Sequence, residues 1–385
     1  MKSVLTASPL VSVVIPAYNA EAFIQKTLTS VLSQTYKNLE ILVIDDGSTD
    51  RTVEIVEAMA EGDRRIRLLQ QSNSGVAAAR NLGIKHAKGE FIAPLDADDI
   101  WYPQNIEKQV QCFLESNANV GLVYSWSADV DDQDIPTGTF HTAQIEGKVY
   151  STLLCHDFLG NASSSLIRRT CFQKVGLYNC QFREQNAQGC EDWDLYLRIA
   201  EQYQFRVVPE VLVGYRKIQS SMSCNYRSMA NSHLLMLQAS QQKHSEIPAV
   251  LYRLSTSSFF LYLARQSSQQ GQHHNTLFWL QQTLQVDWFI SFLRLDLCVL
   301  FLKTVLRLAP RRATLPIRLI YALGMQFRQT PHYSHSLLGA RGSASSLKSA
   351  LEIALHQLLS TTVLLLSRVE TVKQSFQDFR RWRSL

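Results

Sequence analysis

The sequence predicts an open, mostly parallel α/β sheet flanked by helices and followed by an all-helical region. Three observations carry this. Short apolar runs rich in β-branched residues alternate four times with helix-spaced segments in the first hundred residues. Polar or acidic clusters stand directly after three of those runs, and from about residue 228 onward only Leu-rich, helix-period stretches remain.

The elements follow in order. Val11 to Ile15 is a continuous apolar run, the mark of a strand buried on both faces, and it runs into Pro16-Ala17-Tyr18-Asn19. Ile24, Leu28, Val31 and Leu32 recur at helical spacing. Leu39 to Ile44 is a second buried strand, closed by Asp45-Asp46-Gly47-Ser48-Thr49-Asp50, where Ser48 or Thr49 is expected to cap a helix carrying Val53, Val56 and Met59. Ile66 to Leu69 is a third strand, Gly75 to Ala87 a helix, and Phe91 to Leu95 a fourth strand that stops at Asp96-Ala97-Asp98-Asp99. Ligands of such sheets sit beyond the carboxyl ends of the strands, so Tyr18-Asn19, Asp45-Asp46 and Asp96 to Asp99 should converge on one crevice.

Asp131 to Leu159 is polar and turn-rich and reads as a variable loop. Order returns at Ser163 to Ile167. Glu191-Asp192-Trp193-Asp194 opens a helix, and Val207-Val208 and Val211 to Tyr215 read as short strands. Helices are expected around 250–264, 276–308 and 347–369. Two domains result, 1–224 and 225–385.

A chain of 385 residues with 46% apolar and 18% charged residues can bury a large core, which excludes disordered, collagenous and small disulfide-scaffold classes. Seven scattered cysteines without a C-x-x-C pair point to reduced thiols and a cytosolic compartment, and the first residues show no signal-peptide pattern. Membrane spans are not expected. Ile353 to Ser367 is a run of 15 residues between Glu352 and Arg368, against the roughly 20 that a span needs, and Trp288 to Leu302 contains Arg294 and Asp296. Charge divides the chain: residues 1–224 carry 20 basic and 27 acidic side chains, a balance of −7, and residues 225–385 carry 18 and 6, a balance of +12. Such asymmetry suggests parts with different partners.

Each cluster has a plain and a chemical reading. Asp96 to Asp99 is either a solvated acidic turn or a site where alternate carboxylates hold Mg²⁺ or Mn²⁺ together with a diphosphate. Asp45-Asp46 is either a turn with a helix cap or an acceptor for ribose hydroxyls and a base imide, with Tyr18 as a stacking face. Arg80, on a helix of otherwise small residues, either reaches phosphate or pairs with a surface carboxylate. Asp192 is either a general base or an acidic residue favoured by the helix dipole.

The order of these pieces is more specific than any of them alone. VSVVIPAYN, VIDDGSTD, GVAAARNLGI, FIAPLDADDIW, GCEDWDLYLRIA and YR…SMS together resemble the family 2 inverting glycosyltransferases of GT-A fold, over roughly residues 10–223. The resemblance implies that Pro16, Tyr18 and Asn19 line the nucleotide base pocket. It implies that Asp45 and Asp46 contact base and ribose between them, and that Arg80 sits near base and phosphates. Asp96 and Asp98 resemble the DxD pair, with Asp98 the direct metal ligand and Asp96 nearer the ribose. Asp192 becomes the catalytic base, with Glu191 and Trp193 shaping the acceptor side. The closing segment departs from the family pattern, because Ile218, Gln219 and Ser220 stand where a His, Pro and Gly are usual.

The implied activity is metal-dependent, inverting transfer from a nucleotide sugar, a UDP-sugar above all, to a saccharide or lipid-linked acceptor of the cell envelope. A sugar nucleotidyltransferase is the alternative enzyme class, but Pro16-Ala17-Tyr18-Asn19 replaces the Gly-rich phosphate loop it would need. A degenerate nucleotide-sugar binder is the non-enzymatic alternative. The basic second half reads either as a helical domain with a solvated face or as a peripheral dock on an anionic membrane surface; no nucleic-acid reading module is recognisable.

Overall fold

The computed structural model describes residues 8–217, 225–287 and 294–308. Outside them lie the departing residues Ile218, Gln219 and Ser220, the Ser221-Met222-Ser223 segment, Arg311-Arg312, the stretch 347–369 and Arg380-Arg381-Trp382-Arg383. The described residues fall into two compact units, one holding those up to 153 and from 157 to 225, the other 154–156 and those from 226 onward.

The first unit opens with β1 (Val11–Ala17), α1 (Ile24–Leu32), β2 (Leu39–Asp45), α2 (Thr52–Gly62), β3 (Ile66–Gln70), α3 (Val76–His86) and β4 (Phe91–Pro94). The four strands pair in parallel in the order β3-β2-β1-β4. All seven residues of β1 are buried, as a strand covered on both faces requires. On one face Val11, Val13 and Ile15 share a core with Ile24, Leu28 and Val31 of α1. On the other, a Cβ at Gly83 of α3 would lie 2.5 Å from Val14 and 2.6 Å from Ile44. The small residues of the AAARNLG segment therefore let α3 lie directly on the sheet.

The chain continues through β5 (Ile100–Trp101), α4 (Asn105–Leu114), β6 (Val120–Val130), β7 (Pro136–His141), α5 (Tyr150–Cys155), β8 (Ser165–Arg168), α6 (Arg169–Val175), α7 (Gln181–Glu184), α8 (Glu191–Ala200) and β9 (Gln204–Arg216). Here the sheet becomes mixed: β8 runs antiparallel to β4 and β6, β9 runs parallel to β6, and β5 and β7 are antiparallel edges. The fully buried β6 has no counterpart in the sequence reading, and β7 forms inside the segment read as a loop, because its partner β6 supplies the register. The two short strands expected at 207–215 are one 13-residue strand. Its pairing skips Pro209-Glu210, where proline has no N–H to donate, which is why the sequence looked interrupted.

One cap differs from expectation. Neither Ser48 nor Thr49 starts α2; Asp50 accepts the Thr52 N–H at 3.0 Å and its hydroxyl at 2.6 Å. The Ser48 hydroxyl instead accepts the Asn19 N–H at 2.9 Å.

The second unit is helical: α9 (Tyr226–Lys243), α10 (Ala249–Gln269), α11 (His273–Val286) and α12 (Leu295–Leu308). Its interior combines Leu254, Phe260, Leu263, Trp279 and Leu280 with buried hydroxyls. Thr256, Ser257, Thr276 and Thr283 donate to carbonyls three or four residues back in their own helices. Among the described residues no helix is long and apolar enough to cross a membrane.

Candidate functional site

Parallel register aligns the carboxyl ends of β1 and β2, with Ala17 opposite Asp45 and Asp45 opposite Gln70 of β3. The loops that follow meet there. Tyr18 is 53% exposed and offers an open ring face. Asn19 adopts a left-handed φ of 48°, which Asn tolerates, and its Oδ1 accepts the Thr49 N–H at 2.8 Å. Pro16, expected to line the base pocket, is instead enclosed in the sheet opposite Ile44. The pairing of β1 with β4 ends at Val14 and Pro94, so its missing N–H costs no ladder bond on that side.

Asp45 and Asp46 are both buried and differ in use. Asp46 is heavily engaged: Oδ1 accepts from Gln71 Nε2 and the Ser74 N–H, both at 2.7 Å, and Oδ2 from the Gly75 N–H at 2.8 Å. It anchors the loop before α3, where the resemblance had implied contact with base or ribose. Asp45 accepts only the Ser48 N–H among the described residues, at 3.2 Å.

At the centre of the site is Arg80, 3% exposed. Its Nη2 donates to Asp96 at 2.5 Å and its Nη1 to Asp192 at 2.7 Å. One guanidinium thus joins the end of β4 to the first turn of α8, residues far apart in sequence. The ring of Tyr178 lies 5.2 Å beneath it, a cation–π contact. Arg80 was expected near base and phosphates; the fold gives it two carboxylate partners instead. Among the described residues the Nε of Arg80 and the hydroxyl of Tyr178 are buried without a hydrogen-bond partner.

Burial raises the pKa of Asp192 to about 7, with Asp96 and Glu191 adding repulsion and Arg80 opposing it. Asp98 is raised to about 6 by burial and by the neighbouring Asp96 carboxylate. Asp99 is fully buried and structural, accepting the Ser163 hydroxyl at 2.5 Å and the Arg216 N–H at 2.8 Å. Ser163 also accepts the Asp96 N–H at 3.0 Å. Arg216, 1% exposed, donates from Nε to the Asp98 carbonyl at 2.6 Å and reaches the Asp131 carbonyl and the Asp134 carboxylate. The acidic turn is thereby held rigidly from behind. Tyr178 and Ser163 had no site role in the sequence reading, and Arg216 entered it only as part of the YR…SMS segment, since nothing local marks a residue that acts by contact with a distant turn.

Glu191 and Trp193, expected on the acceptor side, are 4% and 5% exposed. Glu191 accepts the Gly189 N–H at 2.8 Å, and Trp193 Nε1 donates to the Leu153 carbonyl at 2.8 Å. Glu191 thus braces the loop before α8, and Trp193 ties α8 to α5.

Among the described residues no group of three or more His, Cys, Asp or Glu side chains is placed to hold a metal ion. The pair Asp96 and Asp98 nevertheless fits Mg²⁺ or Mn²⁺: the donors are all oxygen, and their mutual repulsion is what a divalent cation relieves. One or two carboxylates are the usual protein share when phosphate completes the shell.

Residues 12–176 match the family model described as glycosyl transferase family 2. An uncharacterized glycosyltransferase of Haemophilus influenzae is 41% identical over 110 residues, 28% of this chain and 44% of that protein. A second from the same organism is 30% identical over 229 residues, 58% of this chain and 70% of its own length. The chain thus spans under half of the first relative. Among solved structures, residues 1–349 of Staphylococcus aureus TarS superpose with a TM-score of 0.51 at 19% identity, covering 77% of this chain and 88% of that one. The mannosyltransferase PcManGT of Pyrobaculum calidifontis, in complex with GDP-Man and Mn²⁺, gives 0.52 at 19% identity, covering 84% and 81%. Those likenesses are of fold and agree with a GT-A-type sheet. With the motif order, the matched family model and a relative covered over most of its length, the chain belongs to glycosyl transferase family 2.

Proposed function

We propose that the first unit transfers a sugar, with inversion, from a nucleoside-diphosphate sugar to a hydroxyl of a saccharide or lipid-linked acceptor of the cell envelope. A UDP-sugar is the favoured donor. The observation that supports this best is the Arg80 bridge, which sets a candidate base and a candidate metal carboxylate on two arms of one guanidinium.

In this reading the acceptor oxygen attacks the anomeric carbon as the bond from that carbon to the diphosphate breaks on the opposite face. A single displacement inverts the centre. Asp192 takes the hydroxyl proton. A base pKa near the operating pH suits such transfer, and general-base help contributes roughly 10²–10⁴-fold. Arg80 binds one oxygen of Asp192, orienting the other, and its charge opposes protonation of the carboxylate. Tyr18 stacks on the base while Asp45 accepts from base or ribose. Asp98, with Asp96, would hold Mn²⁺ or Mg²⁺, which when bound offsets the charge of the departing diphosphate. The second, basic unit docks on an anionic membrane surface.

The test is a panel of nucleotide sugars with Mn²⁺, scored for nucleoside diphosphate released by the wild type and by Asp192→Asn. One donor should stand out, and the variant should lose roughly 10²–10⁴-fold in kcat. Equal turnover of that donor by both proteins removes Asp192 as the base.

A further inference from the structure

We infer that α12 is the membrane-contacting element of this protein, its apolar stripe lying in the interfacial layer of an anionic bilayer. This rests on the docking proposed for the basic half and names the surface that performs it. Four large apolar side chains of α12 stand in solvent: Leu295 at 81% exposure, Val299 at 65%, Leu302 at 44% and Leu306 at 41%. Their spacing of four, three and four residues places them on one face of the helix. The opposite face, with Leu297, Thr304 and Val305, is buried. The helix is therefore held along one side and uncovered along the other among the described residues.

Single exposed apolar residues are ordinary, but a stripe is not. Only Tyr18, Leu114 and Ile135 are comparably exposed elsewhere among the described residues, and they are scattered through the first unit.

Charge decides the occupant. Lys303 and Arg307 are exposed beside the stripe, one helical turn apart, and neither forms an ion pair among the described residues. The one acid of the helix, Asp296, is already paired with Arg265 and lies 3.7 Å from Arg294. The sequence continues Ala309-Pro310-Arg311-Arg312, and residues 225–385 carry 18 basic against 6 acidic side chains. An apolar stripe bordered by net positive charge matches a bilayer of anionic headgroups over acyl chains. At 14 residues α12 lies on such a surface and does not cross it.

Flotation of the full chain with phosphatidylglycerol-containing vesicles and with phosphatidylcholine vesicles tests this, with Val299→Glu/Leu302→Glu and Lys303→Glu/Arg307→Glu as variants. Circular dichroism and thermal unfolding check that the fold is kept. The wild type should float with the anionic vesicles, and less so at about 0.5 M salt, where screening shortens to a few ångströms. Either variant should bind at least about tenfold more weakly. If the first variant floats as well as the wild type, α12 is not the contact although docking stands. A wild type that never floats overturns both. A wild-type dimer that the first variant dissociates, without flotation, makes the stripe a self-interface and overturns the inference. The assay uses no donor, so each of these outcomes leaves the sugar-transfer reading untouched.

Discussion

The two units treat buried polarity in opposite ways. In the second, Thr256, Ser257, Thr276 and Thr283 are satisfied by carbonyls of their own helices, so local backbone geometry meets the demand. In the first, Asp96 from the turn after β4 and Asp192 from α8 share a single Arg80, and Asp96 also crowds the neighbouring Asp98. The contrast teaches where function lies. These helix hydroxyls are satisfied close by, whereas the carboxylates at the site crowd one another around one counter-charge.

Breaking the bridge is the strongest test of that contrast. Arg80→Ala leaves two carboxylates without their counter-charge and should cost about 3–5 kcal/mol of the first unit's stability in urea unfolding, along with its turnover. Mn²⁺ should recover part of that stability in the variant, because it supplies positive charge to Asp96 and Asp98.

The units should also respond oppositely to pH. His233 in α9 is fully buried against Phe259 and Ser255, and burial lowers its pKa to about 3. Below about 6.5 the unfolded chain takes up a proton that the folded helix refuses, so the second unit weakens as pH falls, by about 2 kcal/mol at pH 5. Asp192 and Asp98 are raised instead, to about 7 and about 6. Without divalent ions their folded forms hold protons more tightly than the unfolded chain, so their share of stability is present at low pH and lost as pH rises through these values. Hydrogen exchange at pH 5 and 8, read separately over α9–α10 and over β1–β4, should show the opposite slopes. His233→Gln should flatten the first of them.

Packing gives a smaller effect. Gly83→Ala forces a methyl against Val14 and Ile44 and should cost about 1–3 kcal/mol in thermal unfolding. Smallest in stability is Tyr18→Ala, within about 0.5 kcal/mol because the ring is exposed. Its effect should appear in the donor KM, which separates a binding face from a structural one.

How far the sequence carried the site depended on the range of the contacts. Tyr18, Asp45 and Asp96 to Asp99 follow buried strands, and parallel pairing alone brings strand ends together. Pro16, Asp46, Glu191 and Trp193 belong to the same motifs, yet the fold turns them inward as supports. Motif spacing does not distinguish a residue that faces a ligand from one that braces its neighbour. β6 and β7 were missed for a related reason: β7 exists because β6 offers its edge.

By itself the sequence determined the class of fold, the order of its first strands and helices, the division of charge and the family. Each of these rests on periodicity, composition or motif order, which are local or additive properties. Only the tertiary structure decided that Arg80 pairs with Asp96 and Asp192, that Arg216 grips the acidic turn, and that among the described residues α12 leaves an apolar face uncovered. Those depend on which distant segments pack together, and burial and electrostatic coupling acquire values only once they have.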